Sequence, residues 1–282
     1  MTILDGKSLA AKLKAQTREE AARLPRRPGL AVVLVGDDPA SRVYVNGKKK
    51  DCEECGFYSE EYALLEATSQ QELLELIRTL NGRDNIDGIL VQMPLPRHLL
   101  PREVIQAISP EKDVDCFHPQ NVGAMFTGSA GFLPCTPGGV MALLDEYGID
   151  PAGKQAVVLG RSNIVGKPMA VLLLDRNATV TICHSKTPNL TEICRQADIL
   201  VSAVGKTGLV TGDMVKEGAV VVDVAMNRDE NGRLCGDVDF SAVSRKASYL
   251  TPVPGGVGPM TRAMLMRNTL FSAQRRQNFE KG

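Results

Sequence analysis

One run limits the folds open to this chain more than any other. Ala156-Val157-Val158-Leu159-Gly160-Arg161-Ser162-Asn163-Ile164-Val165-Gly166-Lys167-Pro168 is an apolar strand that stops at a glycine, turns through polar residues and enters a helix with proline near its first turn. A doubly wound α/β domain holds a dinucleotide at such a place, with the pyrophosphate against the helix N-terminus. The spacing departs from G-x-G-x-x-G, because Ser162 stands at the second glycine and Gly166 arrives one residue late. On this run alone an ordinary strand–helix turn stays an alternative.

The next strand sharpens the reading. Thr179-Val180-Thr181-Ile182-Cys183 leads into His184-Ser185-Lys186. A site for NAD usually has an acid there, about 20 residues past the glycine turn, for the ribose 2′-hydroxyl. This strand ends without one. Arg161, Ser185 and Lys186 would instead surround a 2′-phosphate, so NADP is expected over NAD.

Composition narrows the function class. Lys+Arg and Asp+Glu both number 33, which disfavours nucleic acid or a membrane surface as a partner. Trp is absent and aromatics make up 4%, too few for a base-stacking platform. No apolar run approaches membrane-spanning length, and Met1–Lys7 does not read as a signal peptide. Cys52 and Cys55 form a C-x-x-C, but no second pair completes a zinc site. The seven cysteines read as thiols in a reducing cytoplasm. His98, His118 and His184 are too dispersed for a metal cluster, and no metal is expected.

Along the chain, helix is expected over 7–24 and 41–55, strand over 30–36 and 57–65, helix over 70–80, and strand over 88–92. Residues 110–138 are rich in Pro and Gly and are expected to form a long functional loop region. A helix is expected from Pro137 to about Tyr147, strands at 199–205 and 219–224, a hairpin or loop at Asn231-Gly232, and a final helix over about 261–277. The expected fold is two α/β domains flanking a cleft, the C-terminal one Rossmann-like with a parallel sheet. Residues 1–136, with the C-terminal helix at about 262–282, form the first domain, and 137–261 form the nucleotide-binding one.

Chemistry gathers in the first domain. Tyr44 and Lys48, four residues apart, share a helix face. That helix follows the first strand, so its start lies near the carboxyl edge of the sheet, where ligands bind. Gln92 ends a strand of the same sheet, and Asp115 lies in the irregular stretch. On spacing alone the run Lys48-Lys49-Lys50 reads equally as a solvated face.

Seven ordered segments then carry a resemblance. Ser41-Arg42-Val43-Tyr44-Val45-Asn46-Gly47-Lys48-Lys49-Lys50-Asp51-Cys52, Gly88–Pro96, Lys112–Pro119 and Pro134–Gly138 are the first four. Gly160–Pro168, Cys183–Thr187 and Pro252–Thr261 complete them. Together they resemble the methylenetetrahydrofolate dehydrogenase/cyclohydrolase family. The resemblance implies NADP-dependent oxidation of 5,10-methylenetetrahydrofolate, then hydrolysis of the methenyl product to 10-formyltetrahydrofolate. It implies that Lys48 transfers the proton in hydrolysis, Gln92 holds and tunes Lys48, Tyr44 shapes the pocket, and Asp115 binds the pterin edge. It implies nucleotide contacts at Gly160, Arg161, Ser162, Ser185 and Met226, substrate contacts at Pro254, Gly255 and Gly256, and a cytoplasmic homodimer. Since a nearby carboxylate would hold Lys48 charged, Asp115 is expected to face the pterin rather than the amine. Cys116, Ala225-Met226 and Arg262 depart from the family pattern. The other readings are a dehydrogenase without the hydrolase and a non-catalytic NADP(H)-binding module.

Overall fold

The computed structural model describes residues 1–279; residues 280–282, counted above with the C-terminal helix, lie outside the described residues. In chain order the strands are β1 (Thr2–Ile3), β2 (Gly29–Val35), β3 (Tyr58–Leu64), β4 (Gly88–Val91), β5 (Gln155–Leu159), β6 (Thr179–Cys183), β7 (Ile199–Ser202), β8 (Val220–Asp223), β9 (Asn227–Arg228), β10 (Leu234–Cys235) and β11 (Tyr249–Leu250). The helices are α1 (Gly6–Ala21), α2 (Pro39–Cys55), α3 (Gln70–Asn81), α4 (Pro101–Ala107), α5 (Pro119–Phe126), α6 (Cys135–Glu146), α7 (Gly166–Asp175), α8 (Leu190–Arg195), α9 (Phe240–Val243) and α10 (Val257–Phe279).

The chain divides into two units, one of residues 11–135 and 262–282, the other of residues 1–10 and 136–261. The first ten residues therefore leave the domain in which the sequence reading placed them. The cause is backbone pairing: β1 adds in parallel to β11, with Thr2 opposite Tyr249 and Ile3 opposite Leu250.

In the unit of residues 11–135 and 262–282 the sheet is β3-β2-β4, all parallel. All seven residues of β2 are buried, as a central parallel strand covered on both faces requires. Leu30, Val32 and Leu34 face one core with Val45, Leu265 and Leu270; Ala31, Val33 and Val35 face the other with Leu73, Ile77 and Leu80. Local signals set the helix bounds. Asp38 caps α2 by accepting from Ser41 N at 2.7 Å, with Pro39 in the first turn. Gly56, at φ 72°, closes its other end with its N–H on carbonyls of the last turn. Ser69 and Glu72 form a reciprocal capping box on α3.

The other unit carries the six-stranded sheet β1-β11-β8-β7-β5-β6, parallel throughout, and the antiparallel hairpin β9–β10 around Asn231-Gly232. The Rossmann-like parallel sheet is thus present as expected. The region 110–138 is less irregular than its composition suggests: it holds α5, which starts at Pro119 with His118 Nδ1 accepting from Gln120 N at 3.1 Å.

Asp87 anchors the start of β4. Fully buried, it accepts from Arg26 Nη1 and Nη2 at 2.6 and 2.8 Å, Arg276 Nη1 at 3.0 Å and Gly29 N at 2.9 Å. Removing one member of such a pair leaves buried partners uncompensated. Asp87→Ala should lower stability by about 3–5 kcal/mol; the urea-unfolding midpoint of the full chain measures it, and a midpoint equal to wild type would refute the anchoring role.

Candidate active site

Three of the four residues singled out near the N-terminus meet within one unit. The Lys48 amine donates to Gln92 Oε1 at 2.7 Å, and Gln92 Nε2 donates to Met93 O at 2.7 Å. The second bond fixes the amide so that its oxygen faces the lysine. Gln92 N donates to Val33 O at 2.8 Å, which extends the β2–β4 ladder by one residue and sets Gln92 at the carboxyl edge of the sheet. Tyr44 lies one turn before Lys48 on α2 and is 36% exposed, so its ring is open to a ligand on that face.

Contrary to expectation, half-buried Asp115 is not isolated from the amine: its carboxyl and the Lys48 amine act on one another electrostatically, and its side-chain partner is the Cys135 thiol. Burial pushes the Asp115 carboxyl above its ordinary value, opposed by the Lys48 charge. Burial likewise pulls the Lys48 amine below its ordinary value of 10.5. Asp115 and Cys135 oppose that shift and Arg262 assists it. Each of the pair is thus moved toward its neutral form, and burial is the leading cause for both. The hydrogen bond of the amine goes to an amide, as a proton acceptor requires.

Several supporting residues were not foreseen from the sequence. Asp113 accepts from Phe117 N, His118 N and Asn121 Nδ2 at 3.2, 2.8 and 2.8 Å, which folds the turn carrying Asp115. Asn268 Nδ2 donates to Val114 O and Leu133 O, both at 2.8 Å, so α10 grips both strands of chain beside Asp115. Cys135 Sγ lies 3.3 Å from Val114 O. The spacing K-D-V-D hinted at Asp113, and Cys135 lies in the Pro134–Gly138 segment but was given no role there; nothing local marked Asn268, far from Asp115 in sequence.

The departures from the family pattern have visible settings. Cys116 sits at φ 61°, the left-handed region natural to glycine, at a cost of about 1 kcal/mol for a residue with a side chain. A Cβ on Gly47 would stand 2.2 Å from Arg262 Nη1, so the guanidinium lies on the α2 backbone one residue from Lys48. Arg262 Nε is 3.2 Å from Asp51 Oδ2, and Lys14 Nζ is 2.7 Å from Asp51 Oδ1.

In the other unit the glycine turn has the geometry the sequence implies. Gly160 has φ 111°, and a Cβ on it would lie 2.4 Å from Ala203 O. A Cβ on Gly166 would meet Gly160 O at 2.2 Å. Ser162 closes the turn, its Oγ accepting from Val165 N and Gly166 N, both at 3.2 Å. This explains a serine at the second glycine position. Gly160 N donates to Cys183 O at 2.9 Å, tying the turn to the end of β6, and Arg161, Ser185 and Lys186 are all exposed. A tight glycine turn, a helix N-terminus and a basic strand end fit a phosphorylated dinucleotide. Met226 is 43% exposed, and its Sδ lies 3.2 Å from where a Gly258 Cβ would be.

The glycines at 255 and 256 have a reason within the chain. Gly255 has φ 109°, and its carbonyl accepts from Lys7 N at 2.9 Å. A Cβ on Gly256 would stand 2.6 Å from Pro252 O, and one on Gly6 1.8 Å from Gly256 O. The close approach seen at this segment is backbone on backbone. Pro254 beside it is exposed.

Comparison with known proteins identifies two family models along the chain. Residues 4–115 match the family model described as tetrahydrofolate dehydrogenase/cyclohydrolase, catalytic domain, and residues 134–277 match its NAD(P)-binding domain. A bifunctional protein FolD of Moorella thermoacetica is 60% identical over 276 residues, covering 97% of this chain and 99% of that relative. The crystal structure of the bifunctional enzyme FolD from Campylobacter jejuni is similar at TM-score 0.96 and 55% identity, covering 98% of this chain and 99% of that one. The Trypanosoma brucei enzyme, solved with NADP cofactor and an inhibitor, is similar at TM-score 0.94 and 40% identity, with 98% of each chain covered.

The environment of Lys48 has a direct readout. With the lysines labelled by ¹³C reductive methylation, the Lys48 resonance should titrate below 10.5. A Gln92→Leu variant, which removes its acceptor, should move that titration. A Lys48 resonance with an ordinary lysine midpoint would show that burial does not shift the amine.

Proposed function

Because this chain belongs to the tetrahydrofolate dehydrogenase/cyclohydrolase family, we propose that Lys48, Gln92, Tyr44 and Asp115 carry its folate chemistry and that Arg161 and Ser185 recognise its NADP. The enzyme oxidises 5,10-methylenetetrahydrofolate with NADP⁺ and hydrolyses the methenyl product to 10-formyltetrahydrofolate. The observation that carries the assignment is the amine–amide pair, Lys48 Nζ to Gln92 Oε1 at 2.7 Å, in a setting that favours the uncharged amine.

NADP⁺ when bound supplies the acceptor for a hydride leaving the methylene carbon. No acid is needed in that step, so the task of the protein is to hold and orient. The turn at Gly160–Gly166 would hold the pyrophosphate, and Arg161 with Ser185 would hold the 2′-phosphate. Tyr44 packs on the folate rings, and Asp115 meets the polar pterin edge.

Hydrolysis uses the lysine. Water adds through oxygen to the methenyl carbon, and its proton passes to the Lys48 nitrogen. The bond from that carbon to N5 then breaks, N5 takes the proton held by Lys48, and the hydroxyl proton leaves to water as the formyl C=O forms. A neutral lysine is required, and the cationic methenyl substrate beside it favours that form further. Gln92 aims the lone pair by accepting one N–H.

The partner is a folate, and the folate-binding role falls to residues 11–135 with α10 from residue 262 on, the NADP-binding role to residues 136–261. Substrate contacts at Pro254, Gly255 and Gly256 belong to the same proposal. So does a homodimer, supported by the open edge of β6, where Ile182 is 39% exposed, and by Leu174 on the preceding helix, 61% exposed. A cytoplasmic setting is supported by seven free thiols. No described helix is long and apolar enough to cross a membrane.

Purified enzyme should reduce NADP⁺ when 5,10-methylenetetrahydrofolate is added and stay inactive without it. NAD⁺ run in parallel should be the weaker acceptor; equal rates would argue against the Arg161–Ser185 assignment. Lys48→Ala should lower hydrolysis at least 10²-fold, within the range of a lost general base. Near wild-type hydrolysis would remove Lys48 from the mechanism. Wild-type hydrolysis should rise with pH through the Lys48 titration, since the deprotonated amine is the active form, with its midpoint below 10.5. Light scattering should give twice the 30.4 kDa chain mass; a monomer would refute the dimer.

A further inference from the structure

Asp237 is fully buried outside the residues discussed above and collects five hydrogen bonds on its carboxylate. Oδ2 accepts from Ser202 Oγ at 2.8 Å, Val204 N at 2.8 Å and Gly205 N at 3.3 Å. Oδ1 accepts from Lys206 N at 2.6 Å and Asn227 Nδ2 at 3.1 Å. Burying a carboxylate is costly unless its oxygens are filled, and here the donors fill them.

The donors come from two places. Ser202 to Lys206 is the segment leaving β7, and Asn227 follows Met226 beyond β8. Both lie at the carboxyl edge of adjacent strands, and β7 also pairs with β5, whose end carries the glycine turn. Two contacts tie the β7 segment to that turn: Ala203 N donates to Leu159 O at 2.8 Å, and Ala203 O occupies the space a Gly160 Cβ would need.

The carboxylate is itself held in place. Asp223, at the end of β8, accepts from Asp237 N at 3.1 Å and Val238 N at 2.8 Å. A Cβ on Gly236 would stand 1.9 Å from Asp223 Oδ2, so this approach needs glycine there. One buried acid thus fixes the backbone that presents the next, and the second acid gathers two edge segments.

The end of a dinucleotide is set by strand order. With the pyrophosphate at the turn after β5 and the 2′-phosphate at the end of β6, the other half of the molecule extends to the β7 and β8 side. We propose that Asp237 is a positioning residue for the nicotinamide half of NADP, holding Ala203–Lys206 and Asn227 in the shape that receives it. This rests on the NADP reading above. Asp237 does not touch the reacting atoms; it acts through the backbone N–H groups it gathers.

The test is Asp237→Asn, which keeps the volume but turns an acceptor into a donor facing N–H groups. The KM for NADP⁺ in the dehydrogenase assay, and the dissociation constant from NADPH fluorescence, should both rise at least tenfold. Hydrolysis of the methenyl compound without nucleotide should stay within about twofold of wild type, because the Lys48–Gln92 pair belongs to the other unit. Ser202→Ala, which removes one donor of five, should give a smaller rise in the same direction and serves if the first variant does not fold. An unchanged nucleotide KM in folded protein would overturn the proposal. So would both activities falling in proportion at constant KM, the pattern of a purely structural loss. Failure of the NADP reading looks different: wild-type enzyme would then not reduce NADP⁺ at all.

Discussion

The proposed chemistry depends on a lysine amine that burial moves toward its neutral form without losing a partner. An amine alone in a half-buried site would be costly, and an amine paired with a carboxylate would stay protonated. An amide oxygen satisfies the N–H at 2.7 Å while adding no full charge. The geometry of Gln92 follows from its place one residue beyond a buried parallel strand, where the last ladder bond sets the backbone and Met93 O sets the side chain. The core that buries β2 and β4 is in this sense part of the site.

The loop bearing Asp115 shows the same economy. It has little regular structure, yet it is held by side chains that bond backbone atoms: Asp113 on three nitrogens-bound hydrogens, Asn268 on two carbonyls. Such bonds between side chain and backbone fix a conformation that neither helix nor sheet would supply. They also place Cys116 in a left-handed conformation, tolerated because its surroundings determine it.

Much of this was legible in the sequence, for physical reasons that differ by residue. Tyr44 and Lys48 share a face because helices repeat every 3.6 residues, and Gln92 sits at a sheet edge because its strand ends there. The Gly160 turn was readable through its sharp change from apolar to polar. What escaped was non-local. Cys135 and Asn268 are near Asp115 only after the chain has folded back. The allegiance of residues 1–10 depends on a two-residue strand pairing with Tyr249–Leu250, too short to leave a pattern. The helix at 119–126 was hidden by its glycine and weak periodicity.

The span of α10 has a consequence for how the protein comes into being on the ribosome. The carbonyls of Val114 and Leu133 wait for Asn268, and those of Asp87 and Glu111 wait for Ser272, partners made more than 130 residues later. Synthesis runs from the N-terminus, so a nascent chain carries Lys48, Gln92 and Asp115 long before their support exists. The frame around these three residues is therefore complete only once α10 has been made, and a prematurely released fragment lacks it.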